Sequence, residues 1–122
     1  MTKATIAAGI IAGALFAGTA YAQQANYTWT GYGTNVAGAS KCATYKMTIS
    51  VEVQGTAVKG HFQQEGRDAR HFEATLGQGG AFKTQAVVGG NNKMDVTGTI
   101  ADGGSKVLLD GYCKFDAKLT KK

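Results

Sequence analysis

From Thr44 to the C-terminus, apolar and polar residues alternate with a period of two, in runs broken by glycine-rich turns. That pattern leaves few folds open. A period of two is a strand with one buried face, and no run in this stretch carries a helical period. Proline, which would interrupt a hydrogen-bonded ladder, does not occur in the chain.

The longest alternating run is Lys106 to Lys118, read as one last strand. Val107, Leu109, Gly111, Cys113, Phe115 and Ala117 share one face; Asp110, Lys114, Asp116 and Lys118 share the other. Upstream, Thr44–Val53, Val58–Gln64, Ala69–Leu76, Ala81–Val88 and Lys93–Ala101 read as further strands, and Gln23–Gly33 as the first. Thr34–Lys41 is small and polar, a loop. Gly55-Thr56 fits a two-residue hairpin that pairs Val53 with Val58, Val51 with Gly60 and Ile49 with Phe62. A three-residue loop at Gly66-Arg67-Asp68 would set Phe62 opposite Phe72 and Gly60 opposite Ala74. A two-residue hairpin within Asp102-Gly103-Gly104-Ser105 would set Ile100 opposite Val107 and Gly98 opposite Leu109. The expected fold is therefore all-β: a small up-and-down antiparallel barrel of about seven strands, or else a β-sandwich.

The N-terminus has a different character. Lys3, an apolar run from Ala4 to Thr19 and the small-x-small triplet Ala20-Tyr21-Ala22 are the parts of a secretory signal peptide. The run is short for a span, rich in Gly and Ala, and lacks a stop-transfer flank. Residues 1–22 are expected to be cleaved after Ala22, leaving 23–122 as a single domain, periplasmic or secreted, with no stable membrane span. Cleavage removes one lysine, so 12 basic residues face 8 acidic ones in the mature chain. The bases are scattered along the strands, which reads as a solvated surface and not as a nucleic-acid groove.

Both cysteines, Cys42 and Cys113, survive cleavage. An even count in an exported chain implies a disulfide. There is no C-x-x-C to suggest a redox or metal site. Such a bond joins early and late parts of the meander, as closure into a barrel would require. Cys42 has the outward parity of its strand and Cys113 the inward parity. A bulge near Ala43, or Cys42 lying in the loop, would reconcile them.

Candidate site residues fall into three groups. Gly60, Gly98 and Gly111 point inward, which marks sharp bends or close approach by another group. A barrel this small either fills its interior or holds one small ligand. Tyr45, Met47, Phe62, Arg70, Phe72, Phe82, Thr84 and Met94 would line such a cavity, with Arg70 at the mouth, where its planar fork suits a carboxylate, phosphate or sulfate. His61 and His71 are the only histidines; the register above puts them diagonally on the outer face with Glu73, a weak candidate for zinc or copper. Against a site there stand two ordinary exposed histidines. Tyr27, Trp29 and Tyr32 cluster near the mature N-terminus, to plug the barrel or to stack on a flat ligand.

The catalytic inventory is thin: no G-x-S-x-G, no paired-carboxylate motif, no glycine-lysine phosphate loop. No enzyme activity and no cofactor are expected. In size, export and a single disulfide the chain resembles the small periplasmic barrels that inhibit lysozymes or proteases. The Ser-Gly-x-x-Tyr segment of the lysozyme-inhibitor family does not occur in it, so no residue role carries over. The expected function is non-catalytic binding of a small apolar or amphipathic ligand. The alternatives are a protein-binding module, such as an inhibitor of an exported enzyme acting through Thr34–Lys41 or Glu65–Asp68, and a structural envelope subunit. Composition alone does not assign an oligomeric state.

Overall fold

The computed structural model describes residues 24–34 and 41–122. The expected signal peptide and the centre of the Thr34–Lys41 loop lie outside them. The described chain forms eight antiparallel strands in one sheet: β1 (Gln24–Tyr32), β2 (Lys46–Gln54), β3 (Ala57–Gln64), β4 (Arg70–Thr75), β5 (Ala81–Val88), β6 (Asn92–Thr99), β7 (Ser105–Asp110) and β8 (Lys114–Lys121). The sheet order is β4-β3-β2-β1-β8-β7-β6-β5. The two edge strands, β4 and β5, come back side by side without a ladder between them, so the barrel is nearly closed. No α-helix occurs among the described residues, and none of their helices is long and apolar enough to cross a membrane.

Two four-stranded meanders therefore meet at two junctions. At the β1–β8 junction, Tyr27 pairs with Lys121 and Thr28 with Thr120 near one end. The bridge Thr34–Lys114 keeps the same register at the other end, and the stretch between carries no ladder pairs. At the β4–β5 junction the contact is made by side chains. Phe72 and Phe82 stack across it, ring centres 6.1 Å apart and planes 15° apart.

The expected all-β barrel is present with eight strands instead of about seven. The run Lys106–Lys118 is not one strand. It reverses at Gly111-Tyr112-Cys113 into β7 and β8, with Asp110 paired to Lys114 and Leu109 to Phe115. The reversal is invisible to periodicity because its loop holds three residues. An odd-membered loop returns the chain with its parity intact, so Val107 and Leu109 on β7 and Phe115 and Ala117 on β8 all point inward, and all four are buried.

Registers divide in the same way. The β2–β3 pairs Val53–Val58, Val51–Gly60 and Ile49–Phe62 form as expected around Gly55, whose φ is 62°. On β3–β4, Phe62 faces Arg70, Gly60 faces Phe72 and Val58 faces Ala74, a two-residue displacement from the expected pairing. On β6–β7, Gly98 faces Val107 and Val96 faces Leu109, again displaced by two residues. The turn there closes one residue early, with Gly104 N–H donating to Ala101 C=O, and the Ser105 hydroxyl accepts from Ala101 N–H and donates to its carbonyl. A two-residue slip keeps every side chain on its face, so alternation cannot detect it.

The core fills the barrel. Ile49, Val51, Val58, Val96, Val107 and Leu109 are its largest fully buried aliphatic side chains. The inward glycines are contact points for neighbouring side chains. Phe72 lies on Gly60, and Trp29 on Gly31. A Cβ at Gly98 would stand 2.5 Å from Phe82 Cζ, and one at Gly111 would stand 2.9 Å from Met94 Sδ.

Candidate functional site at the disulfide end

The barrel has two ends. One carries the turns at Gly55-Thr56, Gly77–Gly80 and Ala101–Gly104, with both described termini. The other carries the long Gly33–Tyr45 connection, the Glu65–Ala69 and Gly89–Asn91 loops and the β7–β8 reversal. The disulfide sits at this second end.

Cys42 opens a 3-10 turn, Cys42–Thr44, that precedes β2. Its residue parity is thus free of the strand, which resolves the mismatch with Cys113. The bond to Cys113 spans a sequence separation of 71 with Cα atoms 5.5 Å apart. Cys42 is fully buried and Cys113 nearly so. A Cβ at Gly33 would stand 2.6 Å from the Cys42 carbonyl, so only glycine admits the turn so close to β1. The staple ties the first meander to the second beside the Thr34–Lys114 bridge.

Arg70 begins β4 at this end, on the inward face opposite Phe62. It is half-buried. Its guanidinium reaches across the β4–β5 junction to Gly89, where a Cβ would stand 3.7 Å from Nη2. No carboxylate pairs with it among the described residues, although Glu65 and Asp68 lie exposed on the adjoining loop. Gln64, at the end of β3, and Tyr45, just ahead of β2, are both half-buried and have the inward parity of the adjoining strands. Their side chains make no hydrogen bond among the described residues. The rim thus has a cation with five N–H donors, an amide and a phenol with spare bonding capacity. Such a set can take a carboxylate or another planar anion in a bidentate grip.

The same end exposes large aromatic surface. Tyr112, at the tip of the β7–β8 reversal, is 73% exposed, and Tyr32, at the end of β1, is 56% exposed. Sequence reading missed Tyr112 because it assigned the tip to a strand interior; Gly111 beside it is the signal for a turn.

The residues expected to line a cavity separate into three kinds. Met47, Phe62, Phe72, Phe82 and Met94 are buried core, packed against one another or over the inward glycines. Tyr45 and Arg70 stand at the rim. Thr84 lies mid-strand opposite Val96 and borders an open depression of about 520 Å³ with Lys83, Gln85, Val87, Lys93 and Asp95. His61 and His71 are not diagonal: they face each other directly across β3–β4, while Glu73 faces Lys59. Among the described residues no group of three or more His, Cys, Asp or Glu is placed to hold a metal ion.

No protein-family model, curated protein or solved structure matches this chain.

Proposed function

We propose that this chain is an exported, non-catalytic binding protein that recognises a protein partner with the disulfide end of its barrel. Arg70 carries the reading. A half-buried arginine with no acidic partner among the described residues is a charge waiting for an external anion. Tyrosine and arginine are the residue types most often found at the energetic centres of protein interfaces, and this end offers Arg70 with exposed Tyr32 and Tyr112. Both loops suited to recognition, Thr34–Lys41 and Glu65–Asp68, leave the barrel at this end. Loops on a rigid scaffold are where binding residues concentrate. A disulfide in a small domain is in keeping with an oxidising compartment and so with export.

A small apolar ligand inside the barrel is the less supported reading. It would have to displace Phe72, Phe82 or Met94 from the glycines they cover. The deciding experiment immobilises the wild-type protein, an Arg70→Gln/Tyr112→Ala variant and a Thr56→Lys variant of the opposite end, and challenges each with the exported proteins of the producing cell. A partner retained by the wild type and by T56K but lost from the double variant supports the proposal. Equal retention on all three rejects this end as the interface. A native mass spectrum of the wild type covers the rival: excess mass that vanishes on denaturation would identify a bound small molecule.

A further inference from the structure

We propose that His61 and His71 form a two-histidine chelate for a divalent transition metal, copper(II) foremost, on the outer face of β3–β4. The register places the two residues directly opposite. The kind of pair matters as much as the register. Leu76 N–H donates to Thr56 C=O, which makes Thr56 and Leu76 a hydrogen-bonded pair of this ladder. Pairs alternate along an antiparallel ladder, so Val58–Ala74, Gly60–Phe72 and Phe62–Arg70 are hydrogen-bonded, and His61–His71 is non-hydrogen-bonded. In that kind of pair the Cα atoms approach to about 4.5 Å and the side chains rise together.

The imidazole centres are 6.3 Å apart with planes tilted by 47°. Metal–nitrogen bonds run to about 2.0–2.1 Å, which sets two adjacent imidazole centres on one ion about 4.5–5.2 Å apart, so the rings need to close by about one to two ångströms. Both side chains are exposed and free to make that rotation. Neither ring has a hydrogen-bond partner among the described residues that it would have to give up. Glu73, expected from the sequence as a third ligand, faces Lys59 and is not grouped with the histidines as a metal ligand. Two imidazoles and water are therefore the donor set. Imidazole suits copper, nickel and zinc, and among the divalent ions of the first row copper(II) binds such donors most tightly. The chelate would also tie the edge strand β4 to β3, beside the one junction of the barrel that lacks a ladder.

Calorimetric titration of the untagged protein with copper(II), with glycine as a competing ligand, tests the site. One equivalent should bind, and electron paramagnetic resonance should show two nitrogens in the copper coordination sphere. A second imidazole on the same rigid ladder raises affinity as any linked second site does, so His61→Ala and His71→Ala should each weaken binding by about a hundredfold. The double variant should bind more weakly than either single one, because it also loses the remaining imidazole. Glu73→Gln should change affinity by less than about threefold, since its carboxylate is outside the donor set. Both histidines are exposed, and the metal-free melting temperatures of the variants establish that each is folded. Wild-type affinity in either single variant overturns the proposal. So does tight binding that survives in the double variant, or half an equivalent of copper bound with formation of a dimer.

Discussion

The two ends of the barrel close by different means. At the turn end the backbone does the work. Leu76 N–H bonds Thr56, Ile100 N–H bonds Gly80, Lys122 N–H bonds Asn26, and Ser105 clasps the Ala101–Gly104 turn with its hydroxyl. A depression of about 260 Å³ is left there, lined chiefly by the 101–105 turn. At the disulfide end the Cys42–Cys113 bond adds a covalent tie to the Thr34–Lys114 bridge, and among the described residues Arg70 has no carboxylate partner, Tyr45 and Gln64 make no side-chain hydrogen bond, and Tyr112 is exposed. A small domain has little stability to spare. The staple closes an end at which polar side-chain groups have no hydrogen-bond partner among the described residues.

The comparison can be broken by removing what closes each end. Replacing Cys42 and Cys113 by serine should have the largest effect. For a sequence separation of 71 the chain-entropy model gives about 4 kcal/mol, read as a fall in the denaturation midpoint. Unchanged stability would mean that the disulfide end closes without its staple. At the turn end, Gly80→Ala should cost about 1–3 kcal/mol. Its φ is 79°, and a Cβ there meets the Ile100 carbonyl, a backbone atom that cannot step aside. Ser105→Ala should cost about 1 kcal/mol, because the buried Ser105 loses both hydrogen bonds that its hydroxyl makes to Ala101. Tyr112→Ala should move stability by less than about 0.5 kcal/mol, as expected of an exposed side chain. Thermal melts order these four, and a Tyr112 variant as damaging as Gly80→Ala would make the tip structural.

The inward and outward faces of every strand are legible in the sequence, because one buried face forces a period of two. Position along the strands is legible only where a turn has one solution, as at Gly55. The β3–β4 and β6–β7 registers each slip by two residues without moving a single side chain to the wrong face. The Gly111–Cys113 reversal hides for the same reason. That error removed Tyr112 from view, and the β3–β4 slip turned the His61–His71 pair from opposite to diagonal. The candidate site was thus half visible: Arg70, Tyr45 and the cysteines can be picked out by parity and spacing, while their gathering at one end depends on topology.

The measurement that bears most directly on this account is partner capture from the exported fraction by the wild type, by Arg70→Gln/Tyr112→Ala and by Thr56→Lys. The account predicts one protein held by the wild type and by the turn-end variant and released by the disulfide-end variant. Capture that is lost on altering Thr56, or that is indifferent to Arg70 and Tyr112, would contradict it.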